Sequence, residues 1–127
     1  MKIKKGQAAV ELALVVPILL FFMCGIIDFG RILYTANTLN MISQESVRLA
    51  GLGKKDSEVK QYAIDNALVN PALTTSNITI NPPDSTRKSG DYVSVTITYS
   101  ISYITPLMDT ILPSPYTITN KATMRVE

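Results

Sequence analysis

The chain has 127 residues, 46% of them hydrophobic and 17% charged, and its formal net charge is +2. It contains no histidine and a single cysteine, Cys24, which excludes an intrachain disulfide and leaves His-based catalysis without its base. Three of the twelve basic residues are lysines within residues 1–6, and the rest of the chain has nine basic and ten acidic side chains. The remaining basic residues are scattered, which argues against a nucleic-acid-binding surface.

An apolar segment near the amino terminus dominates the chain. Three lysines lie within residues 1–6, and an almost uninterrupted apolar run follows over 12–27. A helix over 7–27 would be about 30 Å long at about 1.5 Å per residue, which is enough to cross a bilayer. No further positive charge occurs before Arg31, so the lysine/arginine bias predicts a cytoplasmic amino terminus and an outer carboxyl-terminal part.

Glu11 lies a few residues inside this apolar segment. A carboxylate there is unfavourable by at most about 3 kcal/mol on insertion scales, and by less near the interface. One interpretation is that Glu11 stays hydrated among the headgroups. The other is that cleavage after Gly6 creates a cationic amine on Gln7. Glu11 would then be the fifth residue of the mature chain, neutralised by the amine of a neighbouring subunit in a bundle of helices.

Three short stretches carry a family resemblance. Residues 6–11 (GQAAVE), after the basic leader, resemble a type IV prepilin signal. Residues 10–17 (VELALVVP) and 25–31 (GIIDFGR) resemble the TadE family, pseudopilin-like components of the tight-adherence (Flp, type IVc) pilus apparatus. The resemblance covers about the first third of the chain. It departs from the Flp and pseudopilin pattern at Leu12, where that pattern usually has an aromatic residue.

The resemblance implies a function and a set of partners. A prepilin peptidase would cut between Gly6 and Gln7, and Glu11 would serve subunit assembly and registration. The protein would be a minor pilin-like subunit of a tight-adherence pilus or related secretion system, because major Flp pilins are much shorter and lack a sheet domain. Its partners would be the peptidase, other pilin-like subunits, pilus assembly proteins and membrane lipid. No cofactor, nucleic acid or small-molecule substrate is implied.

Two other functions stay open. The first is an unprocessed, single-pass, membrane-anchored extracellular binding domain, in which Glu11 would be replaceable. The second is a secreted enzyme released by signal peptidase, but bulky residues surround the small residues Gly25 and Gly30 where such a cleavage site would lie. Serine and threonine are abundant yet have no candidate base beside them, and the acidic residues do not cluster at metal-ligand spacing. We therefore expect a protein without enzymatic activity.

Further positions in the apolar segment have two interpretations each. Pro17 frees a backbone carbonyl and predicts a helix kink, which is either simply tolerated or helps a subunit leave the membrane. Asp28 and Arg31 lie three residues apart on one helix face at the outer membrane boundary. As an exposed pair they would contribute only a few tenths of a kcal/mol, which favours an anchoring role over pairing between subunits.

Beyond the membrane the helix is expected to continue. No proline occurs over 32–52, and an apolar stripe at helical spacing predicts one helix from Gln7 to near Ala50, its outer half packed on the outer domain. A second helix is predicted after an N-cap at Asp56 or Ser57, ending at the Asn70-Pro71 pair.

The second half of the chain alternates polar and apolar residues with a period of two. This predicts a short strand near 78–80 and two longer antiparallel strands over 93–103 and 116–126, with one apolar face that the helices cover. The apolar residues within 105–115 have two interpretations: a local patch that marks a protein contact, or burial against this domain, which we favour.

The predicted fold is therefore α+β and pilin-like. It has a prepilin-like leader over 1–6, a transmembrane part of the long helix over 7–31, and an extracytoplasmic domain over 32–127 with a short helix and a sheet of about three antiparallel strands. The expected location is the bacterial cytoplasmic membrane, crossed once with the amino terminus inside, with or without incorporation into a surface pilus.

Overall fold

A computed structural model describes residues 2–127 and confirms the predicted α+β architecture. The elements are three helices and three strands: α1 (Lys2–Gly51), α2 (Asp56–Asn66), β1 (Ile78–Asn81), β2 (Tyr92–Ile101), α3 (Met108–Ile111) and β3 (Tyr116–Arg125). A 3₁₀ turn over Thr75–Asn77 precedes β1. Helix α1 begins five residues before the predicted start, so residues 2–6 of the lysine-rich leader are helical.

The described chain divides into two compact units. The first unit comprises the chain up to Ile32 together with Ser102–Tyr116. The second comprises Leu33–Ile101 and Thr117–Glu127. The chain therefore returns to the first unit between its two long strands, and that return forms the site described below.

The second unit holds the hydrophobic core. Its antiparallel sheet has the order β1-β2-β3, and Ile78 pairs with Ile97 and Ile80 with Val95 across β1 and β2. Every second residue of β2 is buried, as the alternation predicts. Buried side chains of the two helices complete the core, which confirms that the apolar stripe in the carboxyl-terminal half of α1 packs in this domain. The buried apolar members from β2 and the helices are Val93, Val95, Ile97, Tyr99, Ile101, Leu39, Ile42, Val47, Ala50, Val59 and Ala63.

Helix α1 ends at Gly51, next to the predicted end near Ala50. Gly53 adopts a left-handed backbone (φ 85°), and its N–H donates to the carbonyl of Ala50 at 3.1 Å. Gly51 allows a close approach of the chain, because a β-carbon there would lie 3.1 Å from the sulfur of Met124. Both glycines therefore serve the end of the helix, one through its φ and one through its small size.

The predicted cap of α2 is wrong. Lys55 occupies the N-cap position without a side-chain hydrogen bond, and Asp56 is the first helical residue. The Asp56 carboxylate instead pairs with Arg87, Oδ1 to Nη2 at 2.6 Å. The helix also ends at Asn66, before the Asn70-Pro71 pair that was expected to stop it.

Arg87 joins three parts of the second unit. Only 3% of its side chain is exposed. Besides the Asp56 carboxylate, its guanidinium donates to the carbonyls of Ala50 and Lys54, both at 3.3 Å, and of Pro82 at 3.0 Å. It therefore satisfies backbone carbonyls at the end of α1 while holding the start of α2.

We expect Arg87→Ala to lower the free energy of unfolding by about 3 kcal/mol, because it leaves a partly buried carboxylate and several carbonyls without their donor. Arg48→Ala is the matched control, since it removes an arginine from a largely exposed pair with Glu45 and should change stability by less than about 1 kcal/mol. Thermal unfolding of the full chain in detergent, followed by circular dichroism, measures both. Equal losses for the two variants would contradict the role given to Arg87.

Candidate functional site

The amino-terminal part of α1 exposes its apolar side chains. An 18-residue window of the helix is long and apolar enough to cross a membrane, and no part of that window is buried within the protein. Its large side chains, such as Leu14, Phe22 and Ile26, are 66%, 63% and 71% exposed. A surface this apolar is unfavourable in water, so the helix indicates membrane anchoring.

The predicted cleavage and assembly residues lie on this helix. Gly6, Gln7 and Glu11 are exposed and helical. The Gln7 side-chain amide donates to Glu11 Oε1 at 3.4 Å, one helical turn away. In the part of the chain that the structure describes, no lysine or arginine forms an ion pair with Glu11. Gln7 thus gives this carboxylate a neutral hydrogen-bond partner within the described residues.

Pro17 lies inside α1 and its side chain is exposed. With Leu20, Phe21 and Cys24 it lines a shallow apolar groove, whose far side is formed by Pro106. Helix α1 and the segment Ser102–Tyr116 of the same unit therefore form the groove beside Pro17 together.

Asp28 is the best-defined polar group of the first unit. It is only 3% exposed although it follows a long apolar run. The N–H of Ile104 donates to Oδ1 at 2.9 Å and to Oδ2 at 3.0 Å. The N–H of Thr105 donates to Oδ2 at 2.7 Å, and the Thr105 hydroxyl donates to the same oxygen at 2.6 Å. One carboxylate thus satisfies two backbone donors and a hydroxyl from a segment 76 residues away.

Arg31 completes this arrangement. Its Nη1 donates to Asp28 Oδ1 at 3.2 Å and to the carbonyl of Ser102 at 3.3 Å. The guanidinium is one-third exposed, whereas the Asp28 side chain is almost fully buried. The pair therefore differs from the exposed surface pair expected from sequence, because Asp28 is covered by the backbone of the segment that it binds.

The segment held by Asp28 is ordered by its own hydrogen bonds. Partial burial raises the pKa of the Tyr103 phenol, and nearby acidic groups act in the same direction. The protonated phenol donates to the carbonyl of Pro113 at 3.0 Å, which closes the base of the loop. Within the loop, Leu112 N–H donates to the carbonyl of Met108 at 2.9 Å.

The expectation that the apolar residues of 105–115 are buried is wrong. Leu107, Ile111 and Leu112 are 69%, 68% and 43% exposed. The reason is that Asp28 and Arg31 hold this segment in the first unit, whereas the expectation placed it in the core of the second. Ile104 and Thr105 were not identified as partners of Asp28, because backbone N–H groups leave no mark in a sequence.

We expect Asp28→Ala to expose the amides of Ile104 and Thr105 to exchange. Loss of a charged acceptor leaves these donors unpaired, so amide protection should fall on the order of a hundredfold. Asp28→Asn should show a smaller loss, because its amide keeps one acceptor oxygen.

Hydrogen–deuterium exchange of the full chain in detergent measures this protection at the peptide covering 102–106. Asp109→Asn is the matched control, since Asp109 is an exposed carboxylate of the same loop. Unchanged exchange in Asp28→Ala would show that the loop is held by other contacts.

Among residues 2–127 no group of three His, Cys, Asp or Glu side chains could hold a metal ion.

Comparison with known proteins adds one finding. Searches of curated proteins and of solved structures find no significant match to this chain. A family model described as TadE-like protein matches residues 6–48, which include the leader glycine, the apolar segment and Asp28. The predicted resemblance to the TadE family is thereby confirmed, and it covers residues 6–48.

Proposed function

We propose that this protein is a minor pilin-like subunit of a tight-adherence (Flp, type IVc) pilus or a related secretion system. The observation that carries the proposal is the TadE-like match over 6–48, which coincides with a helix able to cross a membrane. The TadE-like family suggests a Tad pilus-associated, pilin-like protein. A mixed helix–sheet domain beyond the apolar helix is consistent with a minor subunit.

Processing is the first step of the proposed mechanism. A prepilin peptidase cuts between Gly6 and Gln7 and removes the three lysines of the leader. The bond lies within a helix whose side chains are exposed, so the enzyme reaches it after local unwinding of the first turns. Gly6 favours that unwinding, because glycine is a poor helix former. The space beside it is open, since a β-carbon at this position would have no side chain or other segment within 4 Å.

Assembly is the second step. The new amine of Gln7 carries a positive charge, and Glu11 lies one turn further along the helix. In apolar surroundings an unpaired carboxylate is unfavourable, so Glu11 pairs with the amine of an adjoining subunit as helices pack. Before cleavage, the lysines keep the amino terminus in the cytoplasm and the carboxyl-terminal part outside.

The partners follow from this mechanism. They are the prepilin peptidase, other pilin-like subunits, pilus assembly proteins and membrane lipid. We propose a structural rather than an enzymatic role, since the chain has no histidine and its one cysteine lies in the apolar helix. Attachment to the cytoplasmic membrane and membership of a surface pilus are successive states of such a subunit.

A second candidate function is an uncut, membrane-anchored binding domain. It is favoured by the hydrogen bond between Gln7 and Glu11, which gives the carboxylate a partner without any cleavage. The two functions differ in whether the leader is removed and whether Glu11 is needed.

The amino terminus of the protein in its native membrane distinguishes them. In a strain with an active prepilin peptidase we expect intact-mass and terminal analysis to find Gln7 as the first residue. Gly6→Val should block cleavage, because a bulky β-branched side chain replaces the glycine, while Gly30→Val leaves cleavage intact. Retention of Met1 in the unmodified protein would reject the processing step.

The role of Glu11 has a separate test. Glu11→Ala should insert into the membrane normally and be cut, yet fail to associate with other pilin-like subunits. Glu45→Ala is the matched control, since it removes a carboxylate from the outer half of α1. Co-purification of subunits after mild solubilisation measures the association. Equal association by both variants would favour the tethered binding domain.

A further inference from the structure

Residues 104–112, called here the apolar loop, expose most of their large side chains. Ile104, Leu107 and Ile111 are 58%, 69% and 68% exposed. The segment Ser102–Tyr116 carries no lysine or arginine, and Asp109 is its one charged residue. Exposed apolar side chains concentrated on one short loop mark a contact with something apolar.

The apolar loop lies beside the anchor helix rather than beyond its end. Its base is fixed at Asp28 by the N–H groups of Ile104 and Thr105. From there it extends back along α1: Met108 lines an apolar groove together with Phe21, Phe22, Gly25, Ile26 and Phe29. Phe21 precedes Asp28 by seven residues, which is roughly 10 Å along a helix axis. The loop therefore reaches the same level as the carboxyl-terminal end of the apolar run.

Several backbone donors of the apolar loop have partners within the protein. Non-helical backbone is tolerated at membrane depth only where its polar groups find partners. Here Ile104 and Thr105 donate to Asp28. Thr110 donates through both its N–H and its hydroxyl to the carbonyl of Leu107, at 3.1 and 2.6 Å. The loop can thus approach lipid without leaving these donors unpaired.

Leu107 shows a conformational feature of its own. It has a left-handed backbone, with φ at 67°, which leucine rarely adopts and glycine adopts freely. The position therefore carries an exposed apolar side chain where the backbone alone would favour glycine. This makes Leu107→Gly a variant that removes the side chain while keeping the loop conformation.

We propose that the apolar loop is a second membrane-contacting element, which inserts into the outer leaflet beside α1 at the boundary between headgroups and acyl chains. Elements that lie in this interface bury their apolar side about 5–10 Å deep. Asp109 restricts the insertion to this shallow level, because a carboxylate deeper in the hydrocarbon is unfavourable. Lipid is the occupant because the loop's groove is continuous with the membrane-spanning helix face. The inference goes beyond the pilus role and requires only that α1 spans the bilayer with its amino terminus inside.

The test uses the full chain in vesicles of phosphatidylcholine and phosphatidylglycerol. In a Cys24→Ala background, single variants Leu107→Cys and Ile111→Cys carry an environment-sensitive NBD fluorophore. Phe22→Cys provides the lipid-facing reference, and Ser85→Cys, at an exposed site of the second unit, provides the aqueous reference. We expect blue-shifted emission at both loop positions. We also expect quenching by lipids with a doxyl group near the headgroup to be several-fold stronger than at Ser85.

Two results would overturn the proposal. One is emission and quenching at the loop positions equal to those at Ser85. The other is blue-shifted emission that lipid quenchers do not reduce and that changes with the protein-to-lipid ratio. That result would assign the loop to a contact with a second copy of the chain. Neither result depends on cleavage after Gly6, so the outcome is independent of the pilus assignment.

Leu107→Gly separates insertion from folding. Combined with the label at Ile111, it should weaken lipid quenching while the amides of Ile104 and Thr105 keep their protection from exchange. Quenching that stays unchanged in this variant would contradict the contact proposed for Leu107.

Discussion

The first unit depends on the hydrogen bonds that the buried carboxylate of Asp28 accepts. This carboxylate accepts hydrogen bonds from the N–H groups of Ile104 and Thr105 and from the Thr105 hydroxyl, and Arg31 offsets its charge. Burying a carboxylate is unfavourable unless it is paired and hydrogen-bonded, so these donors are a requirement of the fold as well as a consequence. The result is that an otherwise simple anchor helix carries a loop from between the two long strands.

Helix α1 serves two environments within one element. Its first part exposes an apolar surface that water cannot accommodate, whereas Leu39, Ile42 and Ala50 are buried in the core of the second unit. The change from one to the other falls near Asp28 and Arg31, where charge returns to the sequence. A pilin-like function uses such a division, because one part of the helix joins other helices while the domain beyond it stays folded.

Much of this could be predicted from sequence because the signals are local. The period of two in β2 and the apolar stripe of α1 each fix structure through neighbouring residues. For the loop, exposure was only the less favoured of two interpretations, and the partners of Asp28 could not be predicted. Both depend on contacts 76 residues apart made by backbone groups. The assignment of Asp56 as a cap failed for a similar reason: Arg87, 31 residues away, takes its carboxylate.

The central claim is that the amino-terminal helix joins other pilin-like subunits after the leader is removed. The most direct measurement is photo-crosslinking in living cells from a reactive side chain at Leu14, which is exposed about one turn beyond Glu11. The account predicts protein adducts with the apolar helices of pilin-like subunits when the peptidase is active, and their loss when it is absent. Adducts with lipid alone in both strains would contradict it.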